Sequence, residues 1–447
     1  MTRRRAVWLS AAGVALAGVV VWFFVLPSER AFYAYIDERR AAGLPTTRDE
    51  VRGPEPDAAE NGAEDLKAAW EALLADFGAP DSWTAKRFDD IPAAPDDGWL
   101  EGLSDEQRAD LAKAAARLRP GIERLARALE KPRLVFPVKL DGDGWRDVLE
   151  DIELRSNVSR VLQIQATGDD DPARRLAACR ATLLLAEHSE GGTWFDWALA
   201  QAVRSGGVTM LRRGVESGAI DGAAARAACD APLAASPART FRAASRAEAV
   251  ELLERYRDII EGRAMSQTAK LSPWKRIEHR FDMARRRFGG TAGPLDVDFE
   301  PGIADLIVAV CRLRDAVAAV PDLRELTTEH GIAVIDSTGL LRAAKSKDGT
   351  VHMARTAVRT EAVARLARVA LAVAEFRATH ADFPASLDDL KPMFPDGVPL
   401  DPFTEALFTY EKSASGVRIA SAGRLAGEEA IDEATLRAQC LSWELKR

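Results

Sequence analysis

Five residues, Met1 to Arg5, precede an uncharged apolar run from Ala6 to Leu26. About 20 residues at about 1.5 Å rise cover a bilayer core of about 30 Å, so the run predicts a transmembrane helix over 6–26. Arg3, Arg4 and Arg5 lie before it, and Glu29, Asp37 and Glu38 lie after it. That bias places residues 1–5 in the cytoplasm and the rest of the chain outside it. The rival is a cleaved signal peptide, whose core is shorter and ends in a small-x-small site. Trp22 to Pro27 offers no such site, and Ala15-Leu16-Ala17 lies mid-run, so a retained anchor is expected.

Beyond the anchor, apolar positions recur mostly at helical spacing. Phe32, Tyr35 and Ile36 predict a juxtamembrane helix over Ser28 to Ala42. Gly43 to Asn61 is rich in Pro and Gly and reads as a linker, which gives a juxtamembrane helix and linker over 27–61. A helical domain is expected over 62–345. Leu66, Trp70, Leu73 and Leu74 mark its first helix. Ser104, with Gln107 three residues on, opens another through a capping box. Pro120 is expected to interrupt that helix, with a second stretch to Glu130. The proline-bounded segment from Pro132 reads as a loop or an edge strand. Further breaks fall at Gly168 to Pro172, Gly191-Gly192, Gly218 to Gly222, Pro232 to Pro237 and Gly289 to Gly293. No fixed-period repeat is visible, so an irregular helical bundle or short solenoid is expected.

From residue 351 the pattern changes. A long helix to His380, stopped by Pro384, is followed by hairpin strands at Leu407 to Tyr410 and Val417 to Ile419. Leu441, Trp443 and Leu445 alternate like a third strand. The fold class expected is mainly α: an N-terminal transmembrane helix, the helical domain, and a small C-terminal α+β unit over 351–447.

The chain has 447 residues and a net charge of −8, and the part outside the membrane is more acidic still once the three N-terminal arginines are set apart. This argues against a nucleic-acid partner. Cys179, Cys229, Cys311 and Cys440 are far apart, form no CxxC pair and lack metal-ligand spacing. They read as small buried side chains, although an external compartment permits disulfides.

Residues Leu366 to Arg424 carry a long helix, then His380, Phe383-Pro384, Ser386-Leu387, Leu390, Pro399, Asp401-Pro402-Phe403, Tyr410 and Ser421-x-Gly423. This order resembles the C-terminal part of type II secretion major pseudopilins. The resemblance implies a helix covered by an antiparallel hairpin. It departs from the family because residues 27–350 separate this unit from the membrane helix, so incorporation into a filament is not expected. The family also binds calcium where an Asp follows the Ser-x-Gly; Arg424 and Leu425 stand there instead. Glu428, Glu429 and Asp432 remain as weak candidate calcium ligands, against a need for about six to eight oxygens. No other cofactor is expected. The anchor, the segment Leu44-Pro45-Thr46 to Asp57-x-x-Glu60-Asn61, the helical middle and this C-terminal unit together also resemble a group of membrane-anchored proteins typical of planctomycete-like bacteria, which implies the architecture and no activity.

Catalytic motifs are missing from the sequence. His188, His279 and His330 each follow a glutamate, but there is no HExxH, GxSxG or Walker A motif. Trp194, Phe195 and Trp197 open a helix as an aromatic cluster. They are the candidate interaction residues, with core packing as the plainer reading. Arg285, Arg286 and Arg287, with Lys275, Arg276 and Arg280, read as a solvated basic face or a contact with anionic lipid. Together these point to a non-catalytic, membrane-anchored interaction or scaffold protein of the bacterial inner membrane, most of it periplasmic, with an unidentified envelope protein as partner. An envelope hydrolase or metal-dependent enzyme, and an accessory component of a type II secretion-like system, are the alternatives.

Overall fold

The computed structural model describes residues 26–52, 56–77, 99, 101–136, 144–189, 192–260, 303–324, 344–424 and 431–447. The run 6–25, the basic stretch 275–287, Gly289 to Gly293, Glu428 and Glu429 lie outside them. The described part is mainly helical, with a small antiparallel sheet near the C-terminus. Among the described residues, no helix is long and apolar enough to cross a membrane.

Helix α1 (Leu26–Ala41) buries Phe32, Tyr35, Ile36 and Arg39, one stripe at helical spacing. The stripe packs on helix α9 (Pro237–Ile260) and helix α10 (Ile303–Ala319), against Ala249, Leu253 and Cys311. Much of the expected linker is ordered structure. Helix α2 (Arg48–Arg52) is fixed to α9 by Arg48, which pairs with Glu251 at 2.5 Å and with Glu254 at 3.2 Å. Asn61 then substitutes for a strand partner. Its amide donates to Val135 O at 2.8 Å and accepts from Val135 N at 2.9 Å, beside an isolated parallel bridge to Arg133.

Helices α3 (Ala63–Phe77), α4 (Asp105–Leu129) and α5 (Gly144–Gly168) share a second core built on Leu66, Leu73, Leu118, Leu125, Val158 and Leu162. The Ser104–Gln107 capping box opens α4 as expected. Pro120 does not interrupt it: α4 runs unbroken through the proline. Pro120 is exposed, and so is Ala116, whose carbonyl loses its helical partner on a face open to solvent. Gly121 makes the neighbouring contact possible, because a Cβ there would lie 2.8 Å from Leu73 Cδ1.

Helices α6 (Pro172–Ser189), α7 (Trp194–Glu216) and α8 (Gly222–Ala234) lead to α9. Pro232 lies inside the last turn of α8, so the break falls after it, at Ala235-Ser236. The 37-residue helix α11 (Ala344–His380) runs through the centre. From Ala362 to Val373 only Arg365 and Arg368 are not fully buried, which requires the Ala- and Val-rich, all-round apolar sequence found there. The helix ends at His380, ahead of Pro384, with Ala381 in the left-handed region at φ 58°. Ser386 and Asp389 then form a capping box for a short 3-10 turn.

Strands β1 (Thr409–Lys412), β2 (Gly416–Ala420) and β3 (Ser442–Lys446) form an antiparallel sheet in the order β1-β2-β3. Ile419 faces Tyr410 on one side and Trp443 on the other. Helix α12 (Glu433–Ala438) precedes β3. Sheet residues Val417, Ile419, Trp443 and Leu445 share one core with α11 and with Leu183, Leu211 and Leu233 of α6, α7 and α8. The helical part and the C-terminal unit are thus joined through α11.

Candidate functional site

The aromatic cluster sits at the start of α7. Thr193 caps the helix, and Asp196 completes the box by accepting from Thr193 N at 2.9 Å. Trp197 is fully buried, its ring 5.0 Å from that of Phe241, and its indole N–H donates to Pro237 O at 3.3 Å. Trp194 is half-buried, stacks on Phe241 at 5.4 Å and donates to Ser245 Oγ at 2.8 Å. The Arg314 guanidinium lies over its ring, 3.3 Å from the centroid. Burial lowers the Arg314 pKa to about 10, still well above neutrality. Trp197 therefore acts as core and offers no surface to a partner. The Phe195 side chain lies outside the described residues.

Asp196 also carries a buried ion pair that local sequence patterns do not reveal. Its other oxygen pairs with Arg155 of α5. Arg155 donates to Asp151 O at 3.2 Å, and Lys67 of α3 lies 3.5 Å from the Asp151 carboxylate. This Lys67–Asp151–Arg155–Asp196 chain ties three helices together. Lys67–Asp151 and Arg155–Asp196 are its two ion pairs, and the Arg155 bond to the Asp151 carbonyl links them, which suits a structural strut. A second strut joins α1 to α10: Arg39 pairs with Asp315 at 2.5 Å, and Tyr35 donates to the same carboxylate at 2.6 Å. Burial, reinforced by the Asp315 carboxylate, raises the Tyr35 pKa far above its ordinary value.

An open cleft of about 370 Å³ lies between the end of α7 and the C-terminal sheet, lined by Arg213, Glu216, Ser217, Arg437, Glu444 and Lys446. Arg437 bridges Glu216 at 3.0 Å and Glu444 at 3.4 Å. Glu216 also accepts from Glu444 N at 2.7 Å. These charges fasten β3 to α7. The lining contains no histidine, cysteine or tyrosine. His188 instead lies 3.0 Å from Leu129 O, joining α6 to α4. His279 and His330 lie outside the described residues.

Among the described residues, no group of three or more His, Cys, Asp or Glu is arranged to hold a metal ion. Asp432, the one described member of the candidate calcium set, caps α12. It accepts from Thr435 N at 2.8 Å and Thr435 Oγ1 at 2.9 Å, and the backbone bond holds its carboxyl below the usual range. Asp401 is buried and likewise engaged, accepting from Phe403 N, Ser421 Oγ and Ala422 N at 3.0, 2.9 and 2.7 Å.

All four cysteines are buried and unbridged. Burial pushes the Cys229 and Cys311 thiols up to about 12 and the Cys179 thiol higher still, so they are poor nucleophiles at neutral pH. Comparison with protein-family models, with curated proteins and with solved structures found no match.

Proposed function

We propose that the protein is a membrane-anchored interaction or scaffold protein of the bacterial cell envelope, its helical body outside the cytoplasm. The observation that carries this reading is the position of α1. Helix α1, described over Leu26–Ala41, takes in Leu26, the last residue of the apolar run, and its buried stripe packs against α9 and α10. A chain built this way transmits the place of its anchor directly to its body. The ion pairs between helices and the shared core around α11 favour a stiff body that presents a surface over one that opens for chemistry.

A second reading, an accessory part of a type II secretion-like system, rests on the order of a long helix, a turn region and an antiparallel sheet in α11 to β3. One experiment addresses both. Native membranes are washed with alkaline carbonate, and the retained protein is crosslinked, recovered and identified with its neighbours by mass spectrometry. Retention with repeated recovery of other envelope proteins is expected for a scaffold. Recovery of secretion or pilus-assembly components favours the second reading. Release by carbonate overturns the anchor, and recovery of the protein alone overturns the scaffold.

A further inference from the structure

Two of the four buried cysteines occupy matching places on neighbouring helices. Cys179 is the middle residue of the α6 stripe Leu176, Cys179, Leu183, and Cys229 is the middle residue of the α8 stripe Ala225, Cys229, Leu233. Each stripe has helical spacing and so forms one face of its helix. The two helices pack against each other, and both stripes belong to one apolar core. Both cysteines are fully buried in it.

The thiols also feel each other. Burial is the larger cause of the raised Cys179 pKa, and the Cys229 thiol adds to the rise, because a second negative charge beside the first is unfavourable. Arg180, the residue after Cys179, acts in turn on Cys229 and opposes the rise there. The other two cysteines are engaged elsewhere. Cys311 lies in the core of α1, α9 and α10, with its Sγ 3.4 Å from Ala249 O, and Cys440 Sγ lies 2.8 Å from Thr209 Oγ1. Ala225 and Ala228 are the small neighbours of Cys229 on α8, and small side chains let helix axes approach to about 8 Å. With Cα atoms about 2.3 Å from each axis, facing residues of helices about 8 to 10 Å apart come within about 3.5 to 5.5 Å of each other. That range overlaps the Cα separation of about 4.4 to 6.8 Å that a disulfide spans.

We infer that Cys179 and Cys229 are the protein's disulfide site, and that outside the cytoplasm they join α6 to α8. The structure holds both as thiols and so describes the reduced protein, to which the alkaline titration of these groups belongs. The oxidant is a disulfide-bearing protein or small molecule of the envelope. One cysteine thiolate attacks that disulfide, forms a mixed disulfide and expels one thiol. The second thiolate attacks the mixed disulfide, closes the Cys179–Cys229 bond and expels the other thiol. The oxidant is thereby reduced to two thiols, which take up the two protons the cysteines lose. The reaction belongs to the folding chain, before the core closes, since a cysteine ionises near pH 8.5 in the unfolded chain and far less readily once buried. The bond closes a loop of about 50 residues and so restricts the unfolded chain.

The inference rests on the extracytoplasmic reading, and two arms of one experiment keep them apart. In the first arm the full chain is taken from native membranes, denatured in N-ethylmaleimide and digested with trypsin without reduction. In the second arm the full chain is reduced, unfolded in guanidinium and refolded in detergent with reduced and oxidised glutathione before the same treatment. Trypsin releases Cys179 in the peptide Leu176–Arg180 and Cys229 in the peptide Ala227–Arg239. Mass spectrometry is expected to find these two peptides joined in both arms, with Cys311 and Cys440 alkylated. Joined peptides from membranes support the site and the compartment together. Joined peptides on refolding, with both cysteines alkylated in the membrane sample, support the site and overturn the extracytoplasmic reading. Alkylation of both cysteines in both arms overturns the site, and so does a bond from either of them to Cys311 or Cys440.

Discussion

Arg39 and Asp315 stand 276 residues apart in sequence and 2.5 Å apart in the folded chain, with the Arg39 side chain 1% exposed. Removing one partner of such a pair leaves the other charge buried and uncompensated. Asp315→Ala is expected to lower stability by about 3 to 5 kcal/mol. Arg39→Met combined with Asp315→Leu should recover most of that loss. Chemical denaturation of the single and double variants measures both, and a double variant as unstable as Asp315→Ala contradicts the account.

The buried thiols set an alkaline limit. In the unfolded chain a cysteine ionises near pH 8.5, whereas folding pushes Cys229 and Cys311 up to about 12 and Cys179 further. The folded state holds these protons more tightly. Their contribution is fully present below about pH 8.5 and is lost as pH rises through the folded values, at about 1.4 kcal/mol per pH unit for each thiol. Tyr35 adds the same sign above about pH 10. Denaturation midpoints should therefore fall between pH 8 and 11, and Cys229→Ala should flatten the slope even as it lowers stability at pH 7.

Asp169 sets the acid counterpart. Its side chain is 1% exposed and accepts from Arg174 Nε at 2.8 Å, Arg174 Nη2 at 2.9 Å and Asp171 N at 2.9 Å. The Arg174 hydrogen bonds hold its carboxyl below the usual range. Its contribution is present above about pH 4 and is lost as pH falls through the lowered value. Asp169→Asn should weaken the α5–α6 junction by about 1 to 3 kcal/mol at pH 7 and by less near pH 2. Denaturation at the two pH values measures the difference.

Trp197 tests whether the aromatic cluster is core. Trp197→Ala should cost about 3 to 5 kcal/mol, and Trp194→Phe about 1 kcal/mol through loss of the bond to Ser245. A Trp197→Ala protein with wild-type stability in thermal unfolding would contradict the burial described.

Two backbone positions are open to improvement. Ala381→Gly relieves a left-handed Ala at the end of α11 and should stabilise by about 0.5 to 1 kcal/mol. Pro120→Ala restores an interior helix hydrogen bond in α4 and should stabilise by about 1 to 3 kcal/mol. Urea midpoints that fall in both variants would show that these positions carry some other constraint.

What was legible in the sequence is local. The Ser104–Gln107 and Ser386–Asp389 boxes, the α1 stripe of Phe32, Tyr35 and Ile36, and the alternation at Leu441, Trp443 and Leu445 all involve residues within about four positions of each other, where the chain decides by its own geometry. The structure alone decided what those elements meet. Arg39 reads as a charge in the last turn of α1, yet it is buried because Asp315 lies opposite on a distant helix. Trp197 reads more plainly as core than as a surface anchor, and its contact with Phe241 of α9 shows which core it joins. Pro120 reads as a stop until its face proves exposed to water. In α11, alanine fits every face, so periodicity says little, and only packing on all sides shows that the helix is central. Spacing along the chain specifies hydrogen bonds a turn away; partners hundreds of residues apart are specified by how the helices pack.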